Sequence, residues 1–489
     1  MFLHLCVGPR LCLSSTRGNR DEEIDVLTIH FALTAFSRTQ LHCEHKRTTS
    51  HVSASLRSNF TVLGEPTRSA AYVFVTSLLK NGSAGTLHCL YNYFYVQFAR
   101  GELQMSITVR EISTKKDKKK FFKFLIDMYC KNPHAAPNLY SDEMSEFDPQ
   151  TNDAFRFCEC KMFLAYRDNK IVGRIAGIWH KYVNEKNGTK QLRFTRFDVL
   201  DDFEITKALF AKLVEWAKQL GMDEIIGPMS FSDLNEEGML IQGFDRDSTY
   251  IEIYNHPYYV THMEKLGAYK VVDWNCYRIK VPETHDERLT RIAQHVAKRN
   301  NYEVVDLNAI KKDKAATKQL FVECMEVLDI AFRDLYGTSP INRKQMEREA
   351  DALLQVYLPE LACAVKQNGK VVCYGFCMPC INEAMRKGKG NIIPFGLIPF
   401  IKALSKPKVA EMMSIGVLPE HKNLGAVSLV MDEVLRGTQK LGVEYLETGP
   451  ELEENHQVQN LWKNYDRELV KRHRCWGMKV ADLEKLLNK

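Results

Sequence analysis

Ser414-Ile415-Gly416-Val417-Leu418-Pro419-Glu420-His421-Lys422-Asn423-Leu424-Gly425-Ala426-Val427 reads as an apolar strand, a short turn and a glycine at the start of a long helix. The helical spacing runs from Val427 to Leu441 and stops at Gly442, a favoured helix-ending residue. Such a junction presents unpaired backbone N–H groups with the positive end of the helix dipole behind them. A phosphate or pyrophosphate fits there with little help from side chains. Gly425 would allow close approach of the backbone, and Lys422 adds a point charge. A plain strand-turn-helix junction has the same outline, so the stretch takes its meaning from its surroundings.

Those surroundings repeat. Val109-Arg110-Glu111-Ile112 followed by Lys115-Lys116-Asp117 is echoed by Val305-Asp306-Leu307-Asn308 followed by Lys311-Lys312-Asp313. A pair of apolar runs joined at Asp168-Asn169-Lys170 returns around Asn368-Gly369-Lys370. Leu220 to Pro228 returns as Leu441 to Pro450, with Gly221 and Gly442 in matching places. Three anchors in one order argue for a duplicated unit. Each copy alternates strand and helix signals in the order β-α-β-β-β-α-β-α-β. This predicts a mixed sheet with helices on both faces, an α/β (α+β) fold made twice. The second copy carries an insert after its hairpin, Ile392-Ile393-Pro394-Phe395-Gly396-Leu397-Ile398-Pro399-Phe400. Packing against the sister copy is the plain expectation for it; a lid or a membrane contact are the alternatives.

The 489-residue length suits several domains of about 100–200 residues each. The net charge of +6 divides as +3 in residues 1–104 and +3 afterwards, so no strongly basic region points to nucleic acid. Residues 1–104 hold only Lys46 and Lys80, whereas residues 114–123 alone hold six lysines. Their apolar stretches are too short for a membrane span of about 20 residues, and Met1 to Leu13 makes a weak secretion signal. Met105, opening a strand-like run, reads as the natural start. Residues 1–104 are then a disordered or non-native extension, with a genuine, poorly packed N-terminal region as the alternative. The expected division is 1–104, a degenerate copy at 105–283 and a second copy at 284–489. The 14 cysteines, among them Cys158, Cys160, Cys373, Cys377 and Cys380, lack zinc-ribbon spacing. They read as buried free thiols of a cytoplasmic protein, with no metal.

The strand, the V-x-P-E turn, the basic residue, two spacers, the glycine and the helix resemble motif A of the GNAT superfamily, the Gcn5-related N-acetyltransferases. Residues 105–489 are similar to a bacterial group of paired GNAT-like proteins. That likeness is carried by Gly227-Pro228-Met229, Gly243-Phe244-Asp245, Tyr254-Asn255-His256-Pro257-Tyr258-Tyr259 and the strand Trp274 to Val281. The resemblance implies acetyl-CoA or another acyl-CoA as co-substrate. Its pyrophosphate would be held by Lys422, Asn423, Leu424, Gly425 and Ala426, and its pantetheine arm would pair with the strand ending at Val417. A small-molecule or peptide amine would be the acceptor; nothing marks the oligomeric state. One departure is Val427, which stands where the family has a small residue. In the first copy the matching turn is Leu200-Asp201-Asp202-Phe203-Glu204, where carboxylates would repel a pyrophosphate and serve as helix caps.

Amine acylation needs a base for the ammonium and an acid for the departing thiolate. In the family the acid is often a tyrosine after an asparagine; counted from Asn455, that place is Trp462. Tyr465, three residues on, is the substitute, with an ordinary part-buried tyrosine as the alternative. Glu411 is the candidate base, with a solvent-exposed strand-end glutamate as the alternative. Lys471-Arg472-His473-Arg474 could steer phosphates but reads better as a solvated charged strand. The leading expectation is an acyl-CoA-dependent N-acyltransferase with its chemistry in the second copy. The rivals are a non-catalytic pseudo-acyltransferase used as a binding module, and an aminoacyl-transferase resembling the paired-GNAT peptidoglycan enzymes.

Overall fold

Asp168 and Asn169 take φ of 52° and 61°, and Asn368 and Gly369 take 50° and 78°. Both pairs therefore form left-handed two-residue turns, which match the twist of the strands they join. The turns close the hairpins β2–β3 (Cys158–Arg167, Lys170–His180) and β9–β10 (Ala362–Gln367, Lys370–Pro379). The computed structural model describes residues 106–488; the expectation for residues 1–104 lies outside them.

In the first half, β1 (Thr108–Glu111) precedes the hairpin, and β4 (Gln191–Val199), β5 (Glu224–Gly227), the short β6 (Met239–Gln242) and β7 (Tyr269–Lys280) follow it. In the second half, β8 (Glu303–Val304) precedes, and β11 (Val409–Val417), β12 (Tyr445–Thr448), the short β13 (Glu451–Leu452) and β14 (Arg467–Lys479) follow. The principal helices are α1 (Lys115–Tyr129), α2 (Phe203–Gln219), α3 (Tyr258–Lys265), α4 (Glu287–Asn300), α5 (Lys314–Ala331), α6 (Asn382–Gly388), α7 (Leu397–Ser405), α8 (Ala426–Leu441) and α9 (Val480–Leu487). The fold is mixed α/β, as the periodicities imply. The strand that opens the second half, β8, is only two residues long, and the last strand, β14, runs for 13 residues and takes in Lys471 to Arg474.

The halves do not close their own sheets. The order is β1-β2-β3-β4-β5-β14-β7-β12-β11-β10-β9-β8, one continuous sheet. The last strand of the chain, β14, pairs antiparallel with β5, through Trp476↔Gly227 to Lys479↔Glu224. The last strand of the first half, β7, pairs antiparallel with β12, through Tyr445↔Lys280 to Glu447↔Arg278. Each half thus receives its final strand from the other. The cores follow the exchange. Trp476, Met478, Val480 and Leu483 are buried among Leu209, Phe210 and Leu213 of α2. Ile279 and Val281 are buried among Leu429, Val430 and Val434 of α8.

This arrangement explains Lys471 to Arg474. On an edge they would be solvated, but β14 runs through the middle of the sheet. Lys471 and His473 are buried, and Arg474 is paired with Asp273 at 2.7 Å. The expectation of a solvated charged strand is corrected by the strand's place in the sheet.

Candidate active site

β11 and β12 run parallel from Val409↔Tyr445 to Met412↔Thr448 and then part. At the parting point the β10 partners jump from Met412 (Cys377) to Ser414 (Phe376), which leaves Met413 as a bulge. The first half has the same device: β4 pairs β5 only as far as Arg193↔Ile226. Its register against β3 jumps from Thr195 to Asp198, with Arg196 at φ 50°. Two strands that start paired and then splay leave one strand edge open to a ligand.

The two open edges are treated differently. Val199 lies opposite Gly173 and Val417 opposite Cys373, and the next residues, Leu200 and Leu418, both donate back to β3 or β10. Alternation therefore turns the N–H and C=O of Val199 and of Val417 toward the gap. In the first half both groups are taken: the Val199 N–H donates to Tyr259 Oη at 3.0 Å, and Tyr258 Oη donates to the Val199 carbonyl at 2.6 Å. At Val417 no side chain plays this part among the described residues.

The helix starts differ in the same sense. Asp202 caps α2, accepting from the Glu204 N–H at 2.9 Å while holding Arg167 at 2.6 Å. The acidic turn is thus a capped helix start, as expected. α8 begins without a side-chain cap, on Gly425 at φ 85°. A β-carbon there would lie 3.0 Å from Val296 of α4, so both backbone angle and space call for glycine. The loop is held from beneath by buried His421, whose Nδ1 pairs with Tyr302 Oη at 2.7 Å, and by Asn300 Nδ2, which donates to the Leu424 carbonyl at 3.2 Å. Lys422, Asn423 and Leu424 are exposed, Gly425 is half-buried and Ala426 is buried.

Glu411 is not the exposed strand-end residue its position could have implied. It is 1% exposed, because the first half covers it. The Tyr250 N–H donates to Glu411 Oε2 at 2.8 Å, and Ile251 lies against Gly449 at the mouth of the gap. Oε1 meets no N–H or O–H donor among the described residues, and the Cys380 thiol is its neighbour. Burial pushes the Glu411 carboxyl up to about 8, helped by Glu252 and Glu447 nearby. Beyond it lies a buried charge network that the sequence did not reveal. Lys471 Nζ donates to Glu252 Oε2 at 2.5 Å, to the Asp247 carbonyl at 2.8 Å and to Glu447 Oε2 at 3.3 Å. Burial opposes the charged form of Glu252, yet Lys471 and His473 outweigh it and hold the carboxyl at about 2. Glu252, Cys276 and His473 each bring a ligand atom within 4.8 Å of the others, but the Lys471 ammonium already neutralises that carboxylate.

Tyr465 packs in the same apolar cluster as Met412, Ile415 and Val417, the face of β11 opposite to Glu411. Burial, then Asp286 and Asp432, raise its hydroxyl above the ordinary tyrosine range. It therefore stays protonated at neutral pH. Trp462 is buried beside it and donates to Glu451 at 3.1 Å, which makes it a packing residue. Tyr250, Glu252, Cys380, Glu447 and Lys471 had no local signature, since only the exchange of strands brings them together.

Splayed parallel strands, a bulge at the splay and a helix behind it are present in both halves, but only the helix of the second half begins on a glycine. The fold is a mixed α/β unit made twice in one sheet. No family model matches the chain. The chain is similar to Protein YghO of Escherichia coli (strain K12), with 25% identity over 384 residues, 76% of this chain and 95% of that one. It is also similar to the bacterial ceramide synthase of Caulobacter vibrioides (strain NA1000 / CB15N), with 27% identity over 309 residues, 63% of this chain and 78% of that one. Among solved structures, a tandem GNAT protein from the clavulanic acid biosynthesis pathway covers 77% of this chain and 99% of its own, at 12% identity and TM-score 0.44.

Proposed function

We propose that this chain is an acyl-CoA-dependent N-acyltransferase with one donor site, in the second half. The observation that carries the reading is the contrast between the two gaps. The first is closed by Tyr258, Tyr259 and Asp202; the second keeps its strand edge at Val417 and its helix start at Gly425 open. The co-substrate's pyrophosphate would rest on the N–H groups of Asn423 to Ala426, with Lys422 beside it. Its pantetheine arm would pair with the N–H and C=O of Val417 and bring the thioester to the parting point at Met412.

There Glu411 and Tyr465, on opposite faces of the sheet, would act on the reacting groups. Glu411 takes a proton from the acceptor ammonium, directly or through one water. The freed amine nitrogen bonds to the thioester carbonyl carbon, the C–S bond breaks, and the Tyr465 hydroxyl supplies a proton to the leaving thiolate. That hydroxyl is restored by the second proton that the nitrogen sheds through water, and the proton on Glu411 passes to solvent. Burial of Glu411 suits this role, since a base with a pKa near the working pH is the effective one. The acceptor would enter where Tyr250 and Ile251 of the first half meet Glu411 and Gly449.

Similarity to a protein named for ceramide synthesis supports a long-chain amine as acceptor, because a ceramide is an N-acylated long-chain amino alcohol. The test is thiol release by the full chain from acetyl-CoA and longer acyl-CoAs, with long-chain amino alcohols and with short amines. Release that requires both an acyl-CoA and an amine is the expected result. No amine-dependent release with any acyl-CoA, from protein that binds CoA, would leave the pseudo-acyltransferase reading in its place.

A further inference from the structure

The insert between β10 and β11 has an apolar tip. At its root it is fixed to the first half: Tyr140 N–H donates to the Gly390 carbonyl at 2.8 Å, Arg386 donates to the Pro133 carbonyl and Asn382 to the Ser248 carbonyl. On its inner side Pro399 is buried, and Phe400 and Ala403 pack on the core beside α5. Its outer side has nothing against it among the described residues. Ile393 is 72% exposed, Phe395 77%, Ile398 80% and Ile401 56%, so packing against the sister half, the plain expectation, holds for the root alone. Around this tip, residues 386–408 carry Arg386, Lys387, Lys389, Lys402, Lys406 and Lys408 and no acidic residue. Arg386, Lys387 and Lys408 pair with Asp247, Glu383 and Glu444, which leaves Lys389, Lys402 and Lys406 without an ion pair among the described residues.

We propose that this insert docks on the surface of an anionic phospholipid bilayer, with Ile393, Phe395, Ile398 and Ile401 entering the headgroup boundary and the lysines lying against lipid phosphates. An exposed apolar tip flanked by three lysines that have no ion pair among the described residues is the pattern of an interfacial element rather than of a protein contact, whose rim mixes both signs. A second copy on the same face would set Lys389, Lys402 and Lys406 against the same three lysines, which like-charge repulsion opposes. α7 is a nine-residue helix, and among the described residues no helix is long and apolar enough to cross a membrane, so the contact would be superficial. Both ends of the insert adjoin the site: the Cys380 N–H donates to the Val409 carbonyl at 3.0 Å, two residues before Glu411. The inference does not depend on acyl transfer.

The test is flotation of the full chain with vesicles of phosphatidylcholine alone and with about one third phosphatidylglycerol, near 0.15 M salt. Binding to the anionic vesicles is expected. For the double variant Phe395→Ser, Ile398→Ser, whose side chains are exposed and leave the fold intact, an about hundredfold fall in partitioning is expected. For Lys402→Glu, Lys406→Glu, loss of the preference for anionic lipid is expected. No binding to anionic vesicles, or equal binding by the tip variant, would overturn the proposal. So would a dimer that the tip variant abolishes while neither form binds vesicles, since a second copy would then be the occupant.

Discussion

At the scale of single residues, Glu411 is the position most changed by the structure. As a strand-end glutamate it had no local signal of burial; Tyr250 and Ile251, about 160 positions earlier, cover it. Its carboxyl, pushed up to about 8 by burial, is mostly protonated at pH 7. If it is the base, kcat/KM rises with pH and levels off above about 8, and Glu411→Gln lowers the plateau by about 10²- to 10⁴-fold and removes that limb. A pH–rate profile of both forms checks this. The sign for stability is opposite. The folded state holds this proton more tightly than the unfolded chain, whose value is near 4.5. Its contribution is therefore full below 4.5 and is lost as pH rises through 8. Gly425 was legible as a helix start because that place depends on the backbone around it. Lys471, Glu252 and Glu447 were not, since each reads locally as a surface charge.

Among the elements, the two gaps show how one architecture can be kept open or closed. Hairpins, bulges and splayed strands recur in both halves, and most boundaries follow from apolar periodicity and turn residues. The acidic turn of the first half was legible as a capped helix start, and Asp202 caps α2. The role of Tyr258 and Tyr259 was not, because a tyrosine hydroxyl meeting a strand edge about 60 residues away leaves no trace in local sequence. Replacing both by phenylalanine removes two partners of a buried peptide group, at about 1–3 kcal/mol for each group left unpaired. Denaturant unfolding of the double variant should show that loss. It should create no second acyl-CoA site, since Asp202 still occupies the start of α2; titration of the variant checks both points.

For the whole molecule, the exchange of β7 and β14 sets the behaviour. The repeat in the sequence implied two successive units, and a boundary near residue 283 remains a proposal about descent. In space each half lacks its last strand unless the other is present. Removing residues 467–488 takes β14 from between β5 and β7 and strips Trp476, Met478 and Leu483 from the first half's core. That shortened chain is expected to lose cooperative unfolding of the first half as well as the second, seen as loss of a single sharp thermal transition. Residues 105–283 and 284–489 made separately are expected to be unfolded alone and to regain native circular dichroism when mixed. Strand exchange between homologous halves escapes sequence reading because both candidate partners of β5 have the same apolar pattern.

The claim that joins these scales is that duplication produced one donor site and one closed counterpart. Calorimetric titration of the full chain with acyl-CoAs tests it most directly. One equivalent per chain is expected, unchanged in the Tyr258→Phe, Tyr259→Phe variant and abolished in Gly425→Glu, whose carboxylate would occupy the helix start. Two equivalents per chain, or binding that survives Gly425→Glu, would contradict it.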